Sequence, residues 1–160
     1  VDELKVPKRR VPVSLTLAGG GAVRVGLFLT DAGPGRSGDE RLGELLEEEG
    51  TFLPAVELES GAVAFISRAA VVVAEAAADA DAEGAALDDL GFPTEVAVEI
   101  TLVDGQRLCG HLSYVLPPER ARPIDFLNGV GQFLPVHASD GAIIRFVHKR
   151  HVRRIDLLER

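Results

Sequence analysis

Apolar and polar residues alternate along two separate stretches of the chain. From Val11, the side chains of Val13, Leu15 and Leu17 fall on one side and Ser14 and Thr16 on the other. After Gly19-Gly20-Gly21 the alternation restarts at Val23, Val25 and Leu27. A period of two is the mark of a half-buried strand, so the pattern predicts a hairpin. The same figure returns at Val96, Val98, Ile100 and Leu102, turns at Asp104-Gly105 and runs back from Leu108 to Leu112. Asp-Gly between alternating runs suits a tight turn whose central positions need positive φ. A polar loop follows each hairpin (31–40 and 116–121), then a short helical candidate (41–48 and 124–128). Gly50 and Gly131 stand where a helix is commonly ended by a left-handed residue. Three more strands are predicted in each half, at 51–57, 62–67 and 71–75, then at 132–138, 142–147 and 152–157. Ser60-Gly61 and Asp140-Gly141 supply the turns between them.

Residues 122–156 align on 41–75 without a gap. The two stretches share Arg41/Arg122, Leu46/Leu127, Gly50/Gly131, Phe65/Phe146 and Val71/Val152, and both contain Phe-Leu-Pro, at 52–54 and 133–135. Such self-similarity implies internal duplication, which bears first on domain count. The expected layout is an N-terminal arm (1–10), repeat 1 (11–76), an acidic Ala-rich linker (77–94) with one helical turn at 85–90, and repeat 2 (95–158).

Composition narrows the class. The chain has 160 residues, is 46% hydrophobic and 26% charged, and contains neither Met nor Trp. Two units of this size bury modest cores and need a further surface to be secure. The single Cys109 excludes a disulfide within one chain and suits a reducing compartment. No apolar run reaches membrane-span length, and no apolar stretch follows the early basic residues as in a secretory signal. A cytoplasmic protein without membrane association is therefore expected. The net charge of −8 is unevenly spread. Residues 1–76 carry eight bases and twelve acids, 77–95 six acids and no base, and 96–160 nine bases and seven acids. Attraction of the whole chain to polyanions is disfavoured, while a local basic patch stays open.

The succession of elements resembles the Sm/LSm fold. VAVEITLVDGQRLCGHL, with Gly110 and Leu112, is similar to the strand, turn, strand and Gly-x-Leu of that motif's first half. VPVSLTLAGGGAVRVGL, with Gly26, is its counterpart in repeat 1. FVHKRHVRRIDL and FISRAAVVVAE resemble the second half, a knuckle between two strands. The repeat 2 knuckle also looks like that of the RNA chaperone Hfq, with Lys149-Arg150 near the basic pair and Val152 as the apolar position. The middle stretch is similar to an uncharacterised bacterial Sm-like family. The resemblance implies a mainly β chain of two tandem Sm-like (SH3-like) small barrels, each of five short strands with a short inserted helix. The Asp-x-x-x-Asn base-holding segment is absent; Asp125-Phe126-Leu127-Asn128 has another spacing, and repeat 1 has Glu44 and Glu47 there.

Candidate chemistry is sparse. Residues 33–38 (GPGRSG) match G-x-G-x-x-G, but the helix that follows is short and the loop of repeat 2 has no glycine, so a flexible loop is expected. Cys109 and His111 share one strand face, with His148 and His151 as conceivable additions, yet nothing has metal-ligand spacing. Glu119 with Asp125, or Glu44 with Glu47, would pair carboxylates, but first-turn acids commonly complement a helix dipole. The basic knuckle is the most informative surface: Arg145, His148, Lys149, Arg150, His151, Arg153 and Arg154. Arg145 and Arg153 are expected to face solvent, with Phe146 and Val152 inward. Such a cluster suits phosphate contacts, or else a charged edge that blocks strand pairing. The sequence thus points to a non-enzymatic assembly or protein-interaction module without cofactor or metal. Self-association through edge strands is expected, with Phe52 and Phe133 shaping equivalent apolar faces; the alternative is RNA binding through the knuckle of repeat 2.

Overall fold

β1 (Lys8–Leu17) and β2 (Ala22–Thr30) form the first hairpin in a computed structural model that describes residues 8–30, 40–81 and 93–158. Helix α1 (Leu42–Glu47) follows, then β3 (Phe52–Glu57), β4 (Val63–Ser67) and β5 (Val71–Ala77). The second hairpin is β6 (Thr94–Leu102) and β7 (Arg107–Tyr114). Helix α2 (Pro123–Leu127) and strands β8 (Phe133–His137), β9 (Ile143–His148) and β10 (Val152–Leu157) follow. The alternating residues behave as a period of two requires: Val13, Leu15, Val25 and Leu27 are buried, as are Val98, Ile100 and Leu112.

The ten strands among the described residues make one open antiparallel sheet in the order β10-β6-β7-β8-β9-β5-β1-β2-β3-β4. Each half has the same internal order, and the halves are fused where β5 pairs with β9. The repetition reaches into details. The register slips where β1 meets the start of β5, and again where β6 meets the start of β10. A 3-10 turn links β4 to β5 (Arg68–Ala70), and another links β9 to β10 (Lys149–His151).

Strand β1 starts at Lys8, inside the stretch expected to be an arm. Pro12 is accommodated because β1 pairs with β5 only from Ser14 onward, which leaves one side of the strand open at the proline. Strand β5 runs on to Ala77 and continues into a 3-10 turn (Ala78–Asp81), taking the first residues of the expected linker into ordered structure. The helical turn expected at 85–90 and the Gly-rich 33–38 lie outside the described residues. Gly110 sits where β7 crosses β8: a Cβ there would lie 2.6 Å from the carbonyl oxygen of His137. Gly50 and Gly131 leave the helices at φ 125° and 109°, values that disfavour any side chain.

Two apolar cores result, and each borrows from the other half. The first gathers Leu15, Leu27, Leu42, Leu46 and Leu53 with Phe133, Ile144 and Phe146 from beyond the linker. The second gathers Ile100, Leu102, Leu112 and Leu134 with Val72 and Val73 of β5.

Candidate functional site

The basic knuckle is not one surface. Arg145, expected to face solvent, is half-buried, and its Nε donates to Glu75 Oε1 at 2.8 Å across the β5–β9 joint. The pairing register sets Arg145 opposite Glu75, which explains why the guanidinium turns there. His148 is 4% exposed; its Nδ1 accepts from the Arg150 N–H, and its ring meets Phe133 edge-on at 4.7 Å. Burial, followed by the neighbouring His151 and Arg150, pushes the His148 pKa below the usual histidine range. Lys149 Nζ donates to the Gly129 carbonyl at 3.1 Å. His151 Nε2 lies 2.8 Å from Ala69 O, tying the two knuckles together. Arg150, Arg153 and Arg154 remain exposed, and Arg154 bonds Asp156 on its own strand. Phe146 is buried as expected, and Val152 is partly so.

The joint between the halves is held by polar ties as well as apolar packing. The Glu47 carboxylate, at the end of α1, accepts from the Gln132 N–H at 2.8 Å and the Phe133 N–H at 3.0 Å. These donors begin β8, so a side chain of the first half secures a strand of the second. Phe133, Pro135 and Phe146 floor a cleft of about 320 Å³, and Arg41, Glu44, Glu47 and Asp81 rim it. The rim carboxylates already have partners. Asp81 Oδ1 accepts from the Gly43 N–H at 2.8 Å, and Glu44 Oε1 accepts from both the backbone N–H and Nε of Arg41. The cleft is therefore a seam between packed elements, with its charges engaged by the fold.

Phe52 and Phe133 hold equivalent places at the start of β3 and β8, in opposite environments. Phe133 is 5% exposed, covered by the first half, whereas Phe52 is 59% exposed. The contrast extends along the next strand. Ile144 and Phe146 are 2% and 3% exposed, while Val63 and Phe65 on β4 are both 68% exposed. Strand β4 ends the sheet, so among the described residues no further strand pairs with it.

The knuckle cations act as clamps on the helix ends. Arg68, the counterpart of Lys149, is 8% exposed and donates to the carbonyls of Gly50, Phe52 and Leu45. The cation meets one carbonyl in the last turn of the helix and two just beyond it. Glu48, 3.9 Å from Arg68, has its pKa raised to about 7 by a hydrogen bond with the Glu40 carboxyl, with desolvation second. That bond requires one of the two carboxyls to hold a proton.

The remaining candidates resolve into local structure. Asp125 repeats the Glu44 arrangement, bonding the Arg122 N–H and side chain, and Arg122 holds its carboxyl below the usual range. Glu119 is exposed on a 3-10 turn. Cys109 is exposed with Glu99 Oε2 at 3.8 Å, and His111 stacks on His137 at 5.3 Å. Among the described residues, no group of three or more His, Cys, Asp or Glu could hold a metal ion. No helix there is long and apolar enough to cross a membrane.

Sequence reasoning reached the strands but missed Glu47, Glu75 and Arg68 as residues that join and clamp. One signal was available: Glu47 aligns with Asn128, and Arg145, the partner of Glu75, aligns with Ala64, so the gapless alignment marks where the halves differ in charge. Searches against protein families, curated proteins and solved structures find no match to this chain.

Proposed function

We propose that the protein is a non-enzymatic assembly module, built from two tandem Sm-like small barrels of five strands each. On this reading it works by self-association through the uncovered end of the first half. One observation carries it: Phe52, Val63 and Phe65 are 59%, 68% and 68% exposed, whereas their counterparts Phe133, Ile144 and Phe146 are buried within the chain. Large apolar side chains on an unpaired edge strand are what an unpartnered sheet end is normally built to avoid. Light scattering across a concentration series is expected to give a mass above that of one chain. Phe65→Glu is expected to return that mass to one chain while leaving the β-sheet signal intact. A single-chain mass at every concentration of the unchanged protein sinks the reading.

RNA binding through repeat 2 has less support, because Arg145, His148, Lys149 and His151 are engaged within the fold. It rests on Arg150, Arg153 and Arg154, exposed beside or on the other edge strand. Salt-sensitive retention of single-stranded RNA, lost in an Arg150→Glu, Arg153→Glu variant, would revive it.

A further inference from the structure

Two carboxyl groups meet beside α1. Glu40 is 6% exposed and fastened to Thr30, the last residue of β2. Its N–H donates to the Thr30 carbonyl at 2.8 Å, and its Oε1 accepts from the Thr30 N–H at 2.9 Å. Glu48 closes the far end of α1, its N–H bonding the Leu45 carbonyl, and its side chain is half exposed. The two carboxyls are hydrogen-bonded to each other, so a proton lies between them. Arg68 stands next to the pair, with Nη2 3.9 Å from Glu48 Oε2. Its Nη1 and Nη2 donate to backbone carbonyls, whereas its buried Nε has no partner among the described residues. A buried guanidinium N–H without an acceptor is costly.

We propose that Glu40 and Glu48 form a proton-operated latch. While they share the proton, the end of α1 is held to the end of β2. When the proton leaves to solvent, Glu48 turns to Arg68 and the first knuckle holds the helix instead. The latch works within one chain and is independent of the assembly reading.

Loss of the proton leaves two carboxylates side by side, one of them buried, and like charges repel strongly where water is excluded. Glu40 stays, because Thr30 holds both its backbone and its side chain. Glu48 is the one to move, being half exposed at a helix end. The charged groups around the pair are Lys8 and Arg9 on β1 and Arg68 in the knuckle. Arg9 Nη2 donates to the Glu40 backbone carbonyl at 3.3 Å. Arg68 and Lys8 favour the ionised Glu48. The hydrogen bond with Glu40, followed by burial, outweighs them and raises the Glu48 pKa to about 7. Release of the proton therefore falls near neutrality.

The second half carries the knuckle tie in permanent form. The offset that sets Arg41 on Arg122 places Ala121 at Glu40, Gly129 at Glu48 and Lys149 at Arg68. Neither carboxyl has a counterpart, and Lys149 Nζ donates to the Gly129 carbonyl at 3.1 Å. There the knuckle cation holds the residue after the helix directly; in the first half the same tie waits on a proton. Arg68 also holds the carbonyls of Gly50 and Phe52, so its change of partner reaches the start of β3.

NMR of the full-length protein, with carbon-labelled glutamate carboxyls and nitrogen-labelled arginine, tests the latch. The Glu48 carboxyl is expected to titrate with a midpoint near 7, and the Arg68 Nε–H resonance to shift with the same midpoint. Glu40→Gln removes the neighbouring like charge, so Glu48 should titrate closer to 4.5 and the Arg68 shift should follow it. Glu48→Gln supplies an N–H that donates to Glu40 with no proton to lose, so the Arg68 resonance should keep its low-pH position throughout. A Glu48 midpoint near 4.5 in the unchanged protein overturns the shared proton and the latch with it. A midpoint near 7 with an unmoved Arg68 resonance overturns the turn toward the knuckle.

Discussion

Phe52 and Phe133 begin the same Phe-Leu-Pro, on strands of the same rank, yet one lies open to water and the other is shut away at 59% against 5% exposure. Their local sequence and backbone are alike. What differs is whether another half of the molecule lies beyond: Phe133 packs into the core of the first half, and among the described residues nothing comparable covers Phe52. The comparison separates two properties that sequence patterns tend to merge. Alternation specifies that a residue lies on a given strand face, while the neighbouring element decides whether that face is interior. The two halves thus differ less in fold than in what covers them.

The largest test of this difference is truncation of the matched pair Phe146 and Phe65. Phe146→Ala removes a ring buried in the core of the opposite half and is expected to cost about 3–5 kcal/mol. Phe65→Ala, at an exposed site, should change single-chain stability by no more than about 0.5 kcal/mol. Urea unfolding of both at a dilution where chains are separate makes the measurement; equal losses would break the comparison.

The knuckle clamps give the next largest effect. Arg68→Ala removes hydrogen bonds to three carbonyls and is expected to cost about 2–3 kcal/mol. Lys149→Ala loses one bond from a partly exposed ammonium and should cost under about 1 kcal/mol. Thermal melts of the two variants against the unchanged protein sharpen the contrast, and a reversed order would show that the clamp belongs to the second half.

Glu47→Ala should cost about 1–3 kcal/mol, because the Gln132 and Phe133 N–H groups lose their acceptor. Asn128→Ala, at the aligned position, should leave single-chain stability within about 0.5 kcal/mol. Amide exchange at Gln132 and Phe133 reports the tie directly and is expected to accelerate only in Glu47→Ala.

The smallest effect is a pH response of opposite sign in the two halves. Glu48 has its pKa raised from 4.5 to about 7, so the folded state holds a proton that the unfolded chain releases. Its contribution is fully present below about pH 4.5 and declines as pH rises to about 7. The aligned residue of the second half is Gly129, which cannot respond. His148, whose pKa lies below 6.5, contributes stability that is lost as pH falls below that value. Its counterpart is Ser67. Glu48→Gln should flatten the decline between pH 4.5 and 7, and His148→Gln the loss on the acid side, in melting temperature followed against pH. The Glu48 effect is small because its side chain is about half exposed.

Much of the architecture follows from local pattern alone. The hairpins, both helices and the three closing strands of each half lie within a few residues of their expected places, since alternation and Gly-containing turns act over short distances. That the two halves share one strand order follows from repetition, because the same pattern folded twice meets the same choices. Tertiary structure alone decided how the halves meet. Fusion of β5 with β9 brings Glu75 to Arg145 and Glu47 to the start of β8, and so divides the knuckle that looks continuous in the chain. These contacts span 70 or more residues, and no periodicity in a single stretch encodes them. The same fusion buries one edge of each half and leaves β4 and β10 uncovered, because a sheet that does not close on itself must end twice.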